Sequence, residues 1–187
     1  MPLPRLQERL RKEVLPALQT KLGYSNRLAM PKLEKIVINM GLGKPMGIGG
    51  QENRAVMEQA LKDLACISGQ KPLITRAHTS VASFKIRKGK EVGIKVTLRR
   101  QRMYEFLDRL VSIAIPRIRD FRGMPLSGFD QAGNYTFGLQ EQTVFAEIDQ
   151  TKLQKTLGMD ITIVTKARKR EDAMELLKAL GFPFRQN

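Results

Sequence analysis

Residues 92–100 read VGIKVTLRR, and apolar and polar side chains alternate along them. Successive side chains of a strand point to opposite faces, so this alternation predicts a strand with one apolar and one polar face. The apolar members are Ile94, Val96 and Leu98, and the polar members are Lys95, Thr97 and Arg99. A strand of this kind belongs to a sheet that is covered on one side only.

Further strands and helices surround this one. Similar alternation predicts strands at about 33–40, 73–76, 81–88, 135–139 and 159–165. Apolar residues at helical spacing predict helices at about 4–22, with Pro16 as a kink or interruption, and at about 52–67, 102–114 and 171–180. The elements are mixed without strict βαβ alternation, which indicates an α+β fold with two layers and a mainly antiparallel sheet.

The length of 187 residues is enough for one domain with its own core. We therefore expect a single domain over 1–187, with helices on one face of the sheet and a projecting basic loop or hairpin at about 72–92. The other face would be open and lined by polar side chains of the two best strands, which are Lys35, Asn39, Lys95, Thr97 and Arg99.

Positive charge is concentrated in one segment. The chain carries a formal net charge of +15, and residues 71–102 hold ten Lys or Arg against one acid, Glu91. Surface cations normally alternate with acids, so a merely solvated surface explains this segment less well than a site for a polyanion. Hydroxyl and amide side chains among the charges suit sugar and phosphate contacts, and nucleic acid is the expected ligand.

Signals for catalysis or metal binding are weak. The glycine-rich loop at 41–50 lacks the spacing of a dinucleotide-binding motif, because Met46 stands where glycine is needed. Neither Gly-Lys pair, 43–44 or 89–90, has the glycine that a P-loop needs five residues earlier, where Ile38 and Phe84 stand. Cys66 lies in an apolar helical run and is expected to be a small buried thiol. No cluster with metal-ligand spacing and no nucleophile with an orienting group is visible, so we expect no enzyme, cofactor or metal site.

The sequence also bears on the compartment of the protein. No run of about 18 apolar residues predicts a transmembrane helix, and the N-terminal region lacks the apolar core of a secretory signal. One cysteine cannot form an internal disulfide. We expect a soluble protein of the cytosol without a membrane partner.

Five motifs come in one order along nearly the whole chain, from about 3 to 185. They are GQKP (69–72), FKIR (84–87), KVTLR (95–99), PRIRDFRG (116–123) and GMDITI (158–163). Together they closely resemble the bacterial-type large-subunit ribosomal protein five, the universal 5S rRNA-binding family. The resemblance implies a structural, non-enzymatic role in the central protuberance of the large ribosomal subunit, in the cytoplasm.

The resemblance also implies partners and sites. Family members anchor 5S rRNA, touch 23S rRNA and other central-protuberance proteins, contact P-site tRNA, and bridge to a protein of the small-subunit head through loops expected between about 110 and 145. The positions that match the 5S rRNA site are Lys35, Asn39, Gln70, Lys95, Thr97 and Arg99. The positions expected to contact tRNA are Arg76, His78, Thr79, Ser80, Lys85 and Arg87.

Two alternatives remain open at this point. One is a nucleotide-dependent enzyme built around the loop at 41–50, which a nucleotide would stabilise against heat. The other is a general coat for DNA or RNA, which would bind duplex DNA and 5S rRNA about equally. The low aromatic content, 6% with no Trp, counts against a coat for single strands.

Overall fold

The computed structural model describes residues 3–43, 50–84 and 86–185. It contains one five-stranded sheet in the order β2-β3-β1-β5-β4, mainly antiparallel. The strands are β1 (Lys32–Gly41), β2 (Leu73–Arg76), β3 (Glu91–Leu98), β4 (Tyr135–Leu139) and β5 (Met159–Lys166). The predicted α+β class is confirmed.

Five α-helices accompany the sheet in the described residues. They are α1 (Arg5–Arg9), α2 (Leu15–Leu22), α3 (Gly50–Ser68), α4 (Arg100–Arg109) and α5 (Arg170–Ala179). Each corresponds to a predicted helix, with α1 and α2 forming the two parts of the helix predicted around Pro16. Gly23 ends α2 in the left-handed conformation, at φ +68°, which favours glycine because it has no Cβ.

A π-helical turn precedes a proline at two places. The turns are Leu10–Val14 and Leu110–Ala114, followed by Pro16 and Pro116. In each turn the next backbone N–H donates five residues back, from Leu15 to the Leu10 carbonyl and from Ile115 to the Leu110 carbonyl. Proline has no N–H and crowds the carbonyl four residues before it, so a wider turn accommodates the ring. At the kink or interruption predicted at Pro16, the structure has the π-helical turn that separates α1 from α2.

The chain divides into two compact units. Unit 1 comprises Met1–Ile36, Leu98–Phe137 and Thr162–Asn187, and unit 2 comprises Val37–Thr97 and Gly138–Ile161. In unit 1, α1 contacts α4 and α2 contacts α5. Five aromatic rings also pack there with centroid separations between 4.6 and 6.3 Å: Phe129, Tyr135, Phe137, Phe182 and Phe184. The single domain expected over 1–187 stays a prediction.

In unit 2, one face of α3 supplies the core together with alternate residues of the strands. The predicted stripe on α3 is buried: Val56, Ala60, Leu64 and Ile67. Ile38, Ile94 and Val96 are no more than 2% exposed, as the alternation of their strands predicts. The residues between them on the strands are exposed or half-buried, apart from the buried Gly93 in β3. That this second face is open to RNA stays a prediction.

The structure corrects two expectations. The strand predicted at 81–88 is wrong: this segment holds a short 3₁₀ turn, Ala82–Phe84, and one isolated bridge between Val81 and Ile86. Cys66 is exposed rather than buried, because it lies beside the buried stripe of α3 rather than in it.

Candidate nucleic-acid interface

The less buried face of β1 and β3 in unit 2 presents three of the predicted 5S rRNA residues. Asn39 and Thr97 are half-buried and Lys95 is exposed. Within the described residues, no side-chain hydrogen bond or ion pair of these three is found, so their polar groups are available to a ligand. Leu73 lies directly across from Lys95 in the ladder and is 62% exposed, which adds an apolar contact to this face.

The Gln70 side chain, by contrast, is hydrogen-bonded within the protein. The helix α3 ends at Ser68, and Gly69 follows in the left-handed conformation with φ +62°. The next backbone N–H, of Gln70, donates to the Ser68 hydroxyl over 3.3 Å. The Gln70 side-chain amide then donates to the Thr97 carbonyl over 3.4 Å. The structure thus fixes Gln70 beside Thr97, and the amide assigned to RNA in the prediction also has a role in joining α3 to β3.

Lys35 and Arg99 belong to unit 1. Lys35 is half-buried in β1, and Arg99 is exposed at the end of β3. The Arg99 guanidinium lies 3.9 Å from the Glu34 carboxylate, and both side chains are about half exposed. Ion pairs this exposed contribute about 0–1 kcal/mol, so a phosphate can displace Glu34 at small cost.

The hairpin between β2 and β3 is part of unit 2. Its ladder pairs Leu73 with Lys95 and Ile74 with Ile94, with an irregularity between Thr75 and Arg76. It continues past the strands, because the Ala77 N–H donates to the Lys90 carbonyl over 2.8 Å. Backbone pairing between the two arms therefore extends from Leu73 and Lys95 to Ala77 and Lys90, and the projection of this hairpin stays a prediction.

The tip of the hairpin, residues 77–90, carries most of the predicted tRNA residues. His78, Thr79 and Arg87 are exposed, and Lys85 lies outside the described residues. The Ser80 hydroxyl accepts a hydrogen bond from the Lys88 N–H over 2.9 Å, so Ser80 also shapes the tip.

Charge around the hairpin is almost unopposed. Arg76 lies 3.1 Å from Glu91, the one acid of residues 71–102. No acid occurs between Ala77 and Lys90 in the sequence. A surface with such an excess of one sign raises the local concentration of polyanions and speeds their association.

Sequence reasoning missed the exposed apolar side chains. Phe84 is 74% exposed in the tip, and Leu28 is 90% exposed on the 3₁₀ turn Arg27–Ala29 in unit 1. In the sequence, Phe84 alternates with Ala82 and Ile86 and therefore passes for one face of a strand. The sequence around Phe84 differs from that of a buried strand in two ways. It contains no acid, and it has neither a helical apolar stripe nor an apolar stripe on a partner strand.

Other kinds of site find no support in the described part of the chain. No group of three or more His, Cys, Asp or Glu side chains lies close enough there to hold a metal ion. Among the described helices, none combines the length and the apolar character needed to cross a bilayer. Residues 44–49 of the glycine-rich loop lie outside the described residues.

Comparison with known proteins identifies a family. Residues 26–87 match the family model for ribosomal protein L5, and residues 91–184 match the model for the C-terminus of the same ribosomal protein family. Three relatives bear the name large ribosomal subunit protein uL5. The one from Caldanaerobacter subterraneus subsp. tengcongensis is 54% identical over 182 residues, covering 97% of this chain and 99% of the relative.

The relative from Ruthia magnifica subsp. Calyptogena magnifica is 55% identical over 183 residues, covering 98% of this chain and 99% of the relative. The relative from Clostridium botulinum strain Eklund 17B is 54% identical over 184 residues, covering 98% and 100%. Identity at this level over nearly all of both chains, with both family models matched in order, assigns the family directly. The chain belongs to the ribosomal L5 family, whose members are structural, non-enzymatic proteins of the ribosome.

Proposed function

We propose that this protein is a structural constituent of the large ribosomal subunit that holds 5S rRNA in the central protuberance. The observation that carries the proposal is the basic segment 71–102, whose strand β3 turns Lys95 and Thr97 away from the core. Family membership supports the ribosome in the cytoplasm as the place of action.

The proposed 5S rRNA site works by preorganised charge and shape. Lys35, Lys95 and Arg99 neutralise phosphates, and Asn39, Gln70 and Thr97 hydrogen-bond to riboses or bases. Proteins recognise folded RNA mostly through phosphates, 2′-hydroxyls and backbone geometry, so no covalent step is needed. A sheet supplies a rigid mount for such side chains, because each strand residue is held by the ladder.

The hairpin is proposed to contact P-site tRNA. Its described side chains for this contact are Arg76, His78, Thr79, Ser80 and Arg87, and the sequence adds Lys85. The paired base and the hydrogen-bonded tip support this role, since they hold the cations in place without an opposing acid in the tip. The Arg76–Glu91 pair is exposed and opens at small cost.

Further contacts complete the proposal. They are 23S rRNA, other central-protuberance proteins, and a protein of the small-subunit head reached through the loops between about 110 and 145. In that range the exposed arginines Arg117, Arg119 and Arg122 supply cations for RNA. These assignments rest on the family and on the distribution of charge.

Two single substitutions test the site on the sheet. Thr97→Ala and Asn39→Ala each remove a polar group that is half-buried and unengaged by the described residues, so the fold should be retained. Each should weaken 5S rRNA binding by about 1 kcal/mol, roughly five-fold in Kd. Filter binding measures the affinity, and circular dichroism with urea unfolding checks the fold.

Thr156→Ala is the matched control, because Thr156 is exposed in a loop of the same unit and outside the proposed site. It should bind 5S rRNA like the unmodified protein. Wild-type affinity of both Thr97→Ala and Asn39→Ala would remove the 5S rRNA site from this face of the sheet.

A further inference from the structure

Phe84 differs from every other phenylalanine of the chain. All eight lie in the described residues: five are buried, Phe121 and Phe184 are half-buried, and Phe84 is 74% exposed. A single exposed apolar residue needs no explanation by itself. An exposed aromatic ring at the end of a cationic hairpin is a more specific observation, because the two features suit the same ligand.

The backbone of the tip presents the ring on a closed turn. Val81 and Ile86 exchange both backbone hydrogen bonds, over 2.9 and 3.2 Å, and Phe84 ends the 3₁₀ turn that they enclose. Below this pair, the Lys88 N–H donates to the Ser80 hydroxyl. The ring therefore lies at the outer end of a short loop that has its own hydrogen bonds, so a ligand meets it without unfolding the hairpin.

The charge around Phe84 selects the ligand. Arg87, Lys88 and Lys90 are exposed in the same tip, and Glu and Asp are absent from residues 77–90. This environment attracts phosphates and would repel a basic protein surface. A base–aromatic stack next to cations that hold the backbone is the usual arrangement of an RNA contact to an unpaired nucleotide.

We propose that Phe84 stacks on an unpaired nucleobase of the RNA that the hairpin tip contacts. The proposal rests on the function proposed above. It adds an uncharged side chain, that of Phe84, to the cations that contact the RNA. The ligand is then a loop nucleotide with an open base face, because a base inside a continuous duplex offers no face to the ring. The contribution of the stack should survive added salt, whereas the contributions of the lysines and arginines should fall.

Phe84→Trp gives a direct readout, since the chain has no Trp of its own. The purified variant is titrated with deacylated tRNA and, separately, with 5S rRNA while Trp fluorescence is followed. A stacked base should quench the Trp emission in the titration with whichever of the two RNAs the tip contacts. The control is Leu28→Trp, at a 90% exposed position of unit 1. Equal emission changes in the two variants, or none at position 84, would overturn the stack.

Three further variants separate stacking from apolar contact by their binding: Phe84→Tyr, Phe84→Leu and Phe84→Ala. In large subunits carrying each variant, Tyr should keep P-site tRNA affinity, whereas Leu and Ala should lose about ten-fold, within the range of one base stack. Wild-type affinity of Phe84→Leu would contradict a ring–base stack. Folding should be unaffected in all three, because the side chain is exposed.

Arg87→Ala distinguishes this proposal from the one on which it rests. Loss of tRNA affinity in Arg87→Ala with none in Phe84→Ala would overturn the stack and leave the tRNA contact of the hairpin standing. Unchanged affinity in both variants would overturn both proposals.

Discussion

Residues 71–102 and residues 135–166 are two strand–loop–strand segments of equal length, 32 residues each, and they differ sharply in charge. The first holds ten Lys or Arg against one acid and has a net charge of +9, whereas the second holds three Lys against four acids and has a net charge of −1. Both belong to the same sheet, the first through β2 and β3 and the second through β4 and β5. Because each segment contributes two strands to this sheet, the two segments differ mainly in the loops between those strands and in what the loop side chains contact.

The loop of residues 135–166 is held by buried side chains. Gln142 is fully buried: its side-chain oxygen accepts from the Leu157 N–H, and its amide donates to the Lys155 carbonyl over 3.1 Å. Phe145 and Ile148 add buried apolar surface. In the tip of the basic segment, residues 77–90, every described residue is exposed or half-buried. The loop of residues 135–166 thus anchors a few side chains in the core while its others are exposed, whereas the described residues of the tip bury none and leave them where a ligand reaches them.

The largest expected effect is in the second segment. Gln142→Ala leaves the buried Leu157 N–H without its acceptor, whereas the Lys155 carbonyl keeps the Gln59 amide at 3.2 Å. The substitution should lower the free energy of unfolding by about 2 kcal/mol. Urea unfolding followed by circular dichroism measures it. Gln140→Ala, two residues away and exposed, should change stability by less than about 0.5 kcal/mol. Equal stability of the two variants would contradict the contrast between the segments.

The second effect concerns charge. Lys95→Ala should lower 5S rRNA affinity by about five- to ten-fold at 0.1 M salt and reduce the salt slope of log K by about 1. Lys166→Ala removes the same charge from an exposed position at the end of β5, and should leave the slope unchanged. The measurement is a filter-binding titration at four salt concentrations. Equal slope changes in both variants would mean that net charge matters and position does not.

The third effect links stability to pH. Tyr135 is fully buried in β4 and its hydroxyl donates to the Pro125 carbonyl over 3.0 Å. Burial raises the pKa of Tyr135 to about 12. A phenol that ionises at a lower pH in the unfolded chain than in the folded one contributes stability that is complete below pH 10 and is lost as the pH rises towards 12.

Tyr135→Phe should therefore cost about 1 kcal/mol at pH 8, from the lost hydrogen bond, and should lose less stability between pH 10 and 11 than the unmodified protein. Urea unfolding at the two ends of this pH range tests both parts. The same alkaline loss in both proteins would assign it to other groups.

The smallest effect is a gain in stability in the basic segment. Arg100 has φ +53°, in the left-handed region, at the step from β3 into α4. Arg100→Gly removes the Cβ strain, partly offset by the entropy of glycine, and should stabilise by about 0.5 kcal/mol. Asp120→Gly, at the same φ outside the segment, should gain less, since Asp tolerates this region better. A loss of stability in Arg100→Gly would show that the Arg side chain contributes to the fold.

Local periodicity predicted most of the fold. The alternation along β3 and the helical stripe on α3 were sufficient, because burial of one face is a regular function of position in a strand or helix. The prediction failed at 81–88, where apolar residues also alternate but only one bridge forms. Two short antiparallel segments without a partner on the other side have too few ladder bonds to remain extended.

The candidate site was predictable in part. Charge and alternation indicated Lys95 and Thr97, because each needs only its own position in a strand, and also Arg99, which follows β3 directly and precedes α4. The sequence did not reveal that Gln70 donates to the Thr97 carbonyl or that Arg99 lies near Glu34, since both depend on the path of the chain. Exposure of Phe84 depends in the same way on the bridge between Val81 and Ile86.

The most direct test of the central claim compares the unmodified protein on two polyanions, 5S rRNA and a duplex DNA of similar length. Titrations at several salt concentrations should show steep salt dependence on both, with a preference for 5S rRNA that persists at physiological salt. Equal affinity for the two at physiological salt would contradict specific rRNA binding through residues 71–102 and would indicate a general nucleic-acid coat instead.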